Sequence, residues 1–485
     1  MNDFLFKTRP FKHQLDEFEL TRDREYYGHL FEMGCGKSKV VVDTSAYQYA
    51  NGMIDAVLIV APNGVTNVWP GQYEDHCPDY IDYRVAIWRA SPSTKEEEKL
   101  KCAIDHPGLK IIVMNIEAFS ISKGIDFAKK LLNCFRTLMI LDESSTIKSP
   151  KAIRTKNLLK LSVHAKYRRI LTGTPITQGP LDLYTQFGFL DSTILRCASY
   201  FAFRNTYATI EKMNFGGARF DKVTGYQHID KLTELIAPHS TRITKSECLD
   251  LPEKLYSKRF VALSITQRKL YNQMKKEVVA ELNGMTMTAP LALTRMMRMQ
   301  QIVGGFFSPD HDIEDNDYNV EPQAIDEVNL RIEALIELLE ESSGKVIIWA
   351  RFRSEIRAIC SAINVAFGSR SAVEYHGGVD NQTRIDNIRR FQNEGDCCFF
   401  VGHVQAGGKG ITLTAATTVI YYSNDFSLEN RLQSEDRAHR IGQKNKVTYI
   451  DMIATDTLDI KVVTALREKK NIADLITGDD VSAWI

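Results

Sequence analysis

The fold of this chain is decided first by the stretch Tyr27-Gly28-His29-Leu30-Phe31-Glu32-Met33-Gly34-Cys35-Gly36-Lys37-Ser38. Its aromatic and aliphatic beginning predicts a strand. The segment 39–50 that follows contains neither proline nor glycine and predicts a helix. A strand, a glycine-rich turn and a Lys-Ser pair at a helix N-terminus form a cradle for phosphate groups.

The residue types in this turn suit a bound nucleotide. Gly34 and Gly36 allow backbone N–H groups to close around phosphates, because no side chain intrudes. Lys37 would place a positive charge beside the β- and γ-phosphates, and the Ser38 hydroxyl would bind Mg²⁺. Phe31 stands where the general pattern G-x-x-x-x-G-K-[ST] has its first glycine. The turn alone therefore leaves a helix-capping loop as an alternative, and residues further along the chain must decide.

Two adjacent carboxylates, Asp142 and Glu143, follow the apolar run 138–141. Beside a phosphate turn, Asp142 would hold Mg²⁺ through its water shell, and Glu143 would orient and deprotonate the attacking water. The alternative is a helix N-terminus, where the helix dipole favours acidic residues. The phosphate turn upstream favours the catalytic interpretation. The segment 171–176, Leu-Thr-Gly-Thr-Pro-Ile, suits either a relay between two sites or a simple turn.

The segment 431–443 predicts a helix closed by Gly442. Gln433, Arg437 and Arg440 would lie on one face at i, i+4 and i+7. Both guanidiniums could reach a γ-phosphate from across a cleft, and arginines in that role stabilise transition-state charge. A solvated, salt-bridged helix face is the alternative.

The composition is that of a soluble globular protein, since 44% of the 485 residues are hydrophobic and 25% are charged. The length suits two or three domains. The 61 basic residues balance the 61 acidic ones, so any nucleic-acid contact requires local positive charge. No apolar run reaches signal or membrane length, so we expect a cytoplasmic protein without a membrane partner. Nine cysteines without a C-x-x-C pair indicate a reducing compartment and no structural zinc.

Apolar runs of strand length alternate with helix-length segments in both halves of the chain. The runs are 55–62, 109–116, 137–142 and 169–171, followed by 345–352, 372–375, 397–401, 418–422 and 447–453. Continuous apolar strands separated by helices indicate buried parallel sheets. The predicted fold class is therefore α/β, with two parallel-sheet units.

We divide the chain into three predicted regions on the basis of this alternation. Residues 1–252 form the first, ATP-binding unit, with a helical insertion at about 191–239 around an aromatic segment and a Gly216-Gly217 turn. Residues 253–325 form a helical insertion and linker, and the acidic stretch 308–322 predicts a solvated loop. Residues 326–485 form the second unit.

The motifs together resemble those of superfamily 2 helicases and translocases, and within them the Swi/Snf-type branch. The matching segments, in chain order, are Arg-Pro-Phe-Lys-His-Gln at 9–14 (Q motif), 32–38 (motif I), 60–69 (Ia), 114–117 (Ib), 142–145 (II), 171–176 (III), Leu-Asp-Leu-Pro at 249–252, 347–352 (IV), 376–378, 405–414 (V) and Asp-Arg-Ala-His-Arg-Ile-Gly-Gln at 436–443 (VI). The last string is the most diagnostic, since strand-separating RNA helicases carry a different one.

This resemblance implies two RecA-like lobes with helical insertions, ATP and Mg²⁺ in the cleft between them, and DNA across both. By position in the motifs, Gln14 would read the adenine, and Gly410 would join Gln433 at the nucleotide. Phosphate contacts to DNA are expected from basic residues and glycine turns, with a solvated charged face as the alternative for each basic cluster. The expected DNA-contacting residues are Asn63, Asn115, Lys148, Lys151, Arg351, Arg353, Gly377, Gly378, Gln405 and Lys409.

Three positions depart from the branch. Ser144-Ser145 replaces the usual Ala-His of motif II, which bears on the coupling of hydrolysis to movement. Gln178 stands where asparagine is usual, and Ser38 replaces threonine but keeps the hydroxyl. None of these changes removes a catalytic group.

The sequence therefore predicts a monomeric, DNA-stimulated ATPase of bacterial or phage type that moves along duplex or branched DNA, with fork regression or junction migration as specific possibilities. One alternative is a helicase that separates DNA or RNA strands. Another, from a different class, is a nucleotide-gated DNA clamp with little hydrolysis.

Overall fold

The structure is a computed structural model that describes residues 4–215, 218–248, 251–283, 289–307, 322–407, 411–440 and 442–477. Within these residues the chain forms two main sheets, one of seven strands and one of six. Each sheet is the centre of one lobe. Strands and helices are numbered below in chain order.

The first lobe is built on a sheet whose strand pairs are all parallel, in the order β3-β4-β2-β5-β6-β1-β9. Its strands are β1 (Tyr26–Phe31), β2 (Ala56–Ala61), β3 (Tyr83–Ile87), β4 (Leu109–Asn115), β5 (Thr137–Asp142), β6 (Tyr167–Leu171) and β9 (Ser240–Ile243). The helices are α1 (Lys12–Thr21), α2 (Lys37–Ala50), α3 (Trp69–His76), α4 (Thr94–Ile104), α5 (Ser122–Cys134), α6 (Ile153–Ser162), α7 (Leu183–Leu190) and the short α10 (Lys245–Cys248).

The insertion in the first lobe contains a β-hairpin as well as helices. Helix α8 (Tyr200–Tyr207) leads into the antiparallel pair β7 (Ala208–Phe215) and β8 (Ala218–Tyr226), and α9 (Ile229–Ile236) follows. A purely helical insertion at 191–239 is therefore corrected. Aromatic and β-branched residues on either side of a Gly-Gly dipeptide favour a hairpin. That dipeptide, at 216–217, lies outside the described residues.

The second lobe is a parallel sheet in the order β10-β17-β16-β13-β15-β14. Its strands are β10 (Lys254–Val261), β13 (Lys345–Ala350), β14 (Ala372–Tyr375), β15 (Phe399–His403), β16 (Ala416–Tyr421) and β17 (Val447–Ala454). The helices are α11 (Ile265–Asn283), α12 (Ala289–Val303), α13 (Leu330–Glu341), α14 (Arg353–Phe367), α15 (Asn381–Asn393), α16 (Val404–Gly407), α17 (Leu428–Ala438) and α18 (Leu458–Thr477), and a small antiparallel pair joins β11 (Phe306–Phe307) to β12 (Gln323–Ala324).

Strand β10 corrects the predicted linker, because residues 254–261 belong to the second sheet. They pair along their whole length with β17, which is nearly two hundred residues away in sequence. A strand whose partner is this far away in the sequence cannot be recognised from its neighbouring residues alone. The acidic stretch 308–321 lies outside the described residues, and the division into three regions otherwise stays a prediction.

Both faces of each sheet are buried, which explains the continuous apolar strands. In β2, Leu58 and Val60 pack into one core cluster and Val57 and Ile59 into another, on the opposite face. The second sheet is covered in the same way by two further clusters. Since the strands in each sheet are parallel, the residues that follow them gather at one carboxyl edge.

A buried arginine joins three segments of the second lobe. Arg331 on α13 donates to the Asp459 carboxylate at 2.7 Å, to Met452 O at 2.9 Å and to Tyr422 O. The Arg331 side chain is 2% exposed and that of Asp459 is 8% exposed. Each of these two buried charges stabilises the other in the folded state, because removing one would leave the other buried without a partner.

We expect Arg331→Met to lower the free energy of unfolding by about 3–5 kcal/mol, because it leaves the Asp459 carboxylate buried without its cation. The matched control is Arg370→Met, since Arg370 pairs with Glu394 and Asp396 on the surface and should have little effect. Thermal and urea unfolding followed by circular dichroism would measure both. An equal loss of stability in Arg331→Met and Arg370→Met would contradict the stabilising role of the buried Arg331–Asp459 pair.

Candidate nucleotide site and interlobe cleft

The glycine turn between β1 and α2 has the geometry that the sequence predicts. Gly34 and Gly36 have φ of 86° and 81°, a conformation that favours glycine. A Cβ added at Gly36 would lie 2.0 Å from Gln14 Nε2, so the predicted adenine reader lies directly against the turn. Lys37 begins α2, and its Nζ donates to Phe31 O at 2.8 Å, inside the turn. Ser38 follows in the first turn of the same helix.

The carboxylate pair lies at the end of β5, opposite the turn. Asp142 is 8% exposed, and Glu143 has a φ of 49°, which is rare for a residue with a side chain and is typical of functional sites. Burial raises the pKa of Asp142, and the nearby Lys37 ammonium opposes that rise. Burial likewise lowers the pKa of Lys37, and Glu143 and Asp142 oppose it. The lysine and the two carboxylates therefore share one electrostatic environment.

Trp69 is a site residue that sequence reasoning treated only as the end of motif Ia. Its indole N–H donates to Asp142 Oδ2 at 3.1 Å, while the Glu143 backbone N–H donates to Oδ1 at 3.0 Å. Both carboxylate oxygens are thus oriented by donors, and Trp69 is 1% exposed. The only sequence signal for this contact is a general one: the N–H of a buried tryptophan usually has a hydrogen-bond partner.

The second lobe places Arg437 and Arg440 against this site, although not on one helix as predicted. Helix α17 ends at Ala438, so Arg440 lies in the turn beyond it. The chain leaves the helix at His439, which has φ −98° and ψ 81°. Gln443 Nε2 then donates to the nearby Ala438 O at 3.1 Å and to Ala416 O of β16 at 2.9 Å.

Both arginines nevertheless lie at the cleft, and their guanidiniums bond neighbouring residues of the second lobe. Arg437 Nη1 donates to Ile411 O at 3.1 Å, and Arg440 Nη1 donates to Thr412 Oγ1 at 2.9 Å. Arg440 Cβ lies 4.0 Å from where a Cβ on Gly34 would stand, which places it beside the phosphate turn. Burial lowers the pKa of Arg437 to about 10, and the charges of Asp436 and Glu143 act in the opposite direction. The charge of Glu143, the predicted catalytic carboxylate of the first lobe, therefore acts on Arg437 in the second.

Glu429 on α17 connects the lobes at motif II. It accepts from Ser145 Oγ at 3.4 Å and from Gln433 Nε2 at 3.3 Å, and lies 3.7 Å from Lys148 Nζ. Lys148 also donates to Thr177 Oγ1 at 2.6 Å. The predicted DNA contact Lys148 and the predicted nucleotide contact Gln433 thus both engage Glu429 in this conformation.

The other predicted DNA contacts lie at the carboxyl edges of the two sheets. Asn63 and Lys151 are exposed, and Asn115 ends β4 with its amide on Glu117 Oε2 at 3.1 Å. In the second lobe, Arg353 lies within 4 Å of positions that Cβ atoms on Gly377 and Gly378 would occupy.

Four predicted contact residues of the second lobe remain, and the structure describes two of them. Arg351 is partly buried and donates to Gln300, whereas Gln405 is exposed. Lys409 and Gly410 lie outside the described residues.

The oxygen donors of the first lobe fit Mg²⁺, since Ser38 supplies a hydroxyl and Asp142 a buried carboxylate beside a turn shaped for phosphate. Among the residues the structure describes, no group of three or more His, Cys, Asp or Glu side chains could hold a metal ion. In the same part of the chain, no helix is long and apolar enough to cross a bilayer.

A phosphate turn and a carboxylate pair in one parallel-sheet lobe, faced by arginines from a second, define the class of two-lobed helicase-type ATPases. The profile of the SNF2-related domain matches residues 22–304, more than half of the sequence, and that of the helicase conserved C-terminal domain matches residues 330–442. The chain belongs to the SNF2-related family. The predicted Swi/Snf-type branch and the two-lobed α/β fold are thereby confirmed.

Three relatives align with nearly the whole chain. Mycoplasma genitalium MG018, named an uncharacterized ATP-dependent helicase, is 25% identical over 95% of this chain and 41% of its own length. Bacillus subtilis YwqA, whose name is "Putative ATP-dependent helicase/translocase", is 26% identical over 94% of this chain and 46% of its own length. The mouse DNA annealing helicase and endonuclease ZRANB3 is 26% identical over 91% and 38%. The chain thus spans less than half the length of these relatives.

Among solved structures, the Sulfolobus solfataricus SWI2/SNF2 ATPase core in complex with dsDNA aligns over 99% of this chain and 96% of that chain. Its sequence identity to this chain is 21% and the TM-score is 0.43.

We expect Trp69→Phe to raise the Mg²⁺ concentration needed for half-maximal nucleotide binding by roughly 10-fold, because loss of a residue that orients a metal ligand typically costs 10–100-fold in metal affinity. Titration of Mg²⁺ against a fluorescent ADP analogue would measure this without turnover. Trp88→Phe is the matched control, since Trp88 is buried in the same lobe and packs near Phe127. An unchanged Mg²⁺ requirement in Trp69→Phe would contradict the role.

Proposed function

We propose that this protein is an ATP-driven translocase that moves along DNA. The observation that carries the proposal is the position of Arg437, buried in the second lobe and within electrostatic reach of Glu143 in the first. Hydrolysis at such a site is coupled to the relative position of the lobes, because neither lobe holds the complete set of charges.

Each proposed site residue has a separate role in hydrolysis. The turn around Gly34 and Gly36 would bind the phosphates through backbone N–H groups, and Lys37 would neutralise their charge. Glu143 would orient the attacking water and accept its proton, and the arginines would stabilise the charge of the transition state. Ser38 and Asp142 would hold Mg²⁺, which supplies charge neutralisation at the β- and γ-phosphates when bound.

DNA is the proposed track. Membership of the SNF2-related family supports this, as do the exposed residues at the carboxyl edges of both sheets. Backbone contacts of this kind position a motor without reading bases. Action on branched DNA, such as fork regression or junction migration, is the finer form of the proposal. The name of the mouse relative, a DNA annealing helicase, favours it. All proposed ATP-site residues come from one chain, which suits a monomer.

Strand separation is the second candidate, favoured by the word helicase in the names of the relatives. A translocase would displace a triplex-forming strand without unwinding a duplex. The two activities are therefore separated by a triplex-displacement assay run beside a strand-displacement assay.

We expect Glu143→Gln to reduce DNA-stimulated ATP turnover by roughly 10²–10⁴-fold while ATP binding persists, because the amide cannot accept the proton of the attacking water. Lys37→Ala should abolish turnover and leave nucleotide-free DNA binding mostly intact. Phosphate release and DNA-binding anisotropy would measure the two effects. Turnover that survives in Glu143→Gln would instead favour the nucleotide-gated clamp, and lost DNA binding by folded Lys37→Ala would show that the two sites are not separate.

Turnover should depend on DNA structure if branched DNA is the track. We expect forked DNA to stimulate hydrolysis more than linear duplex, and linear duplex more than single strands, at equal nucleotide and salt concentrations. Steady-state ATPase rates over this panel provide the measurement. Equal stimulation by all three would count against branch specificity, and stimulation by single strands alone would count against a duplex track.

A further inference from the structure

Lys245 is a buried lysine of the first lobe that reaches the second lobe across the cleft. It begins α10, and its side chain is 5% exposed. Its backbone N–H donates to Glu32 Oε2 at 2.6 Å, at the start of the phosphate turn. Its Nζ donates to Asp436 Oδ1 and to His439 O, each at 2.6 Å. One residue thus contacts the phosphate turn of one lobe and the arginine-bearing segment of the other.

Each of the two contacts in the second lobe is made by the residue next to one of the proposed catalytic arginines. Asp436 immediately precedes Arg437, and His439 immediately precedes Arg440. The contact with Asp436 is a charge-assisted hydrogen bond, which is stronger than a neutral one. The His439 carbonyl lies just beyond the end of α17, where a positive charge complements the helix dipole.

In the first lobe, hydrogen bonds hold the backbone around Lys245 against the phosphate turn. The Glu32 backbone N–H donates to Ile243 O at 2.8 Å, so the chain leading into α10 is hydrogen-bonded to the start of the turn. The Lys245 Cε atom lies 4.0 Å from the position of a Cβ on Gly34. A shift of the phosphate turn would therefore move the lysine with it.

We propose that Lys245 is a positioning residue that aligns Arg437 and Arg440 with the phosphate turn by bridging Glu32 and the segment 436–439. The inference deepens the proposed function and rests on it, since the arginines act on the terminal phosphate of ATP. Lys245 itself performs no chemical step. Loss of the bridge displaces the arginines, and a misplacement of about 1 Å costs roughly 10²-fold in rate.

Lys254 provides a matched control within the second lobe. Its Nζ lies 3.3 Å from Glu435 Oε2 and 3.7 Å from Asp436 Oδ1, so it faces the same segment with the same chemistry. It belongs to β10, however, which is part of the second sheet. Its removal therefore changes charge around α17 without breaking a bridge between the lobes.

The test compares Lys245→Met with Lys254→Met in the full chain, by ATPase kinetics with duplex DNA and by small-angle X-ray scattering without nucleotide. For Lys245→Met we expect kcat to fall about 10–100-fold, KM for ATP to change little, and the radius of gyration to rise because the lobes separate. Lys245→Arg should recover part of kcat, since it keeps a positive donor. Lys254→Met should stay near wild type in both readouts.

A second variant keeps the test decisive if Lys245→Met does not fold. Asp436→Asn removes the partner charge in the other lobe and should reproduce the kcat loss, and the double variant should lose no more than either single one. Additive losses, equal losses in Lys245→Met and Lys254→Met, or an unchanged kcat with an unchanged radius of gyration would each overturn the bridge. A wild-type chain without DNA-stimulated hydrolysis would overturn the proposed function instead, and the scattering comparison would still decide the bridge.

Discussion

Burial of charge between the lobes is the constraint on which the site depends. Arg437 and Lys245 are buried and Lys37 is half-buried, and burial lowers the pKa of Lys37 and of Arg437. A cation in such surroundings needs a nearby anion, and carboxylates of the opposite lobe face two of the three: Asp436 for Lys245 and Glu143 for Arg437. The interactions that bring the lobes together are therefore also those that set the electrostatics of the site.

Helix α17 is the element of the second lobe that carries these contacts between the lobes. Glu429 at its start contacts Ser145 and Lys148 of the first lobe, and Asp436 near its end contacts Lys245. The two ends of the helix thus engage the carboxylate side and the phosphate side of the same cleft. This arrangement gives Ser144-Ser145 a structural account, because Ser144 bonds Gln186 within the first lobe and Ser145 reaches Glu429 in the second.

Periodicity and residue type predicted the elements that are buried on both faces. The run 137–142 became β5 without change of boundary, because a central parallel strand is buried on both faces along its length. The run 372–375 also keeps its boundaries as β14, although this strand lies at the edge of its sheet and only alternate residues are buried. The sequence missed β10, whose register with β17 depends on a remote partner, and it extended the arginine helix past Ala438. Beyond that end, the Gln443 side chain donates to Ala416 O of β16, which is a tertiary contact and has no periodic signature.

What the sequence determined by itself is the set of chemical groups and their order: a phosphate turn, a carboxylate pair after a strand, and two arginines near the far end of the chain. These are local patterns, since each needs only a few neighbouring residues to be recognised. Which groups meet was decided only by the tertiary structure. Trp69 against Asp142, Lys245 against Asp436 and Lys148 against Glu429 join residues that are 73, 191 and 281 positions apart. Contacts of that span are set by sheet order and lobe packing, and nothing in the residues around either partner encodes them.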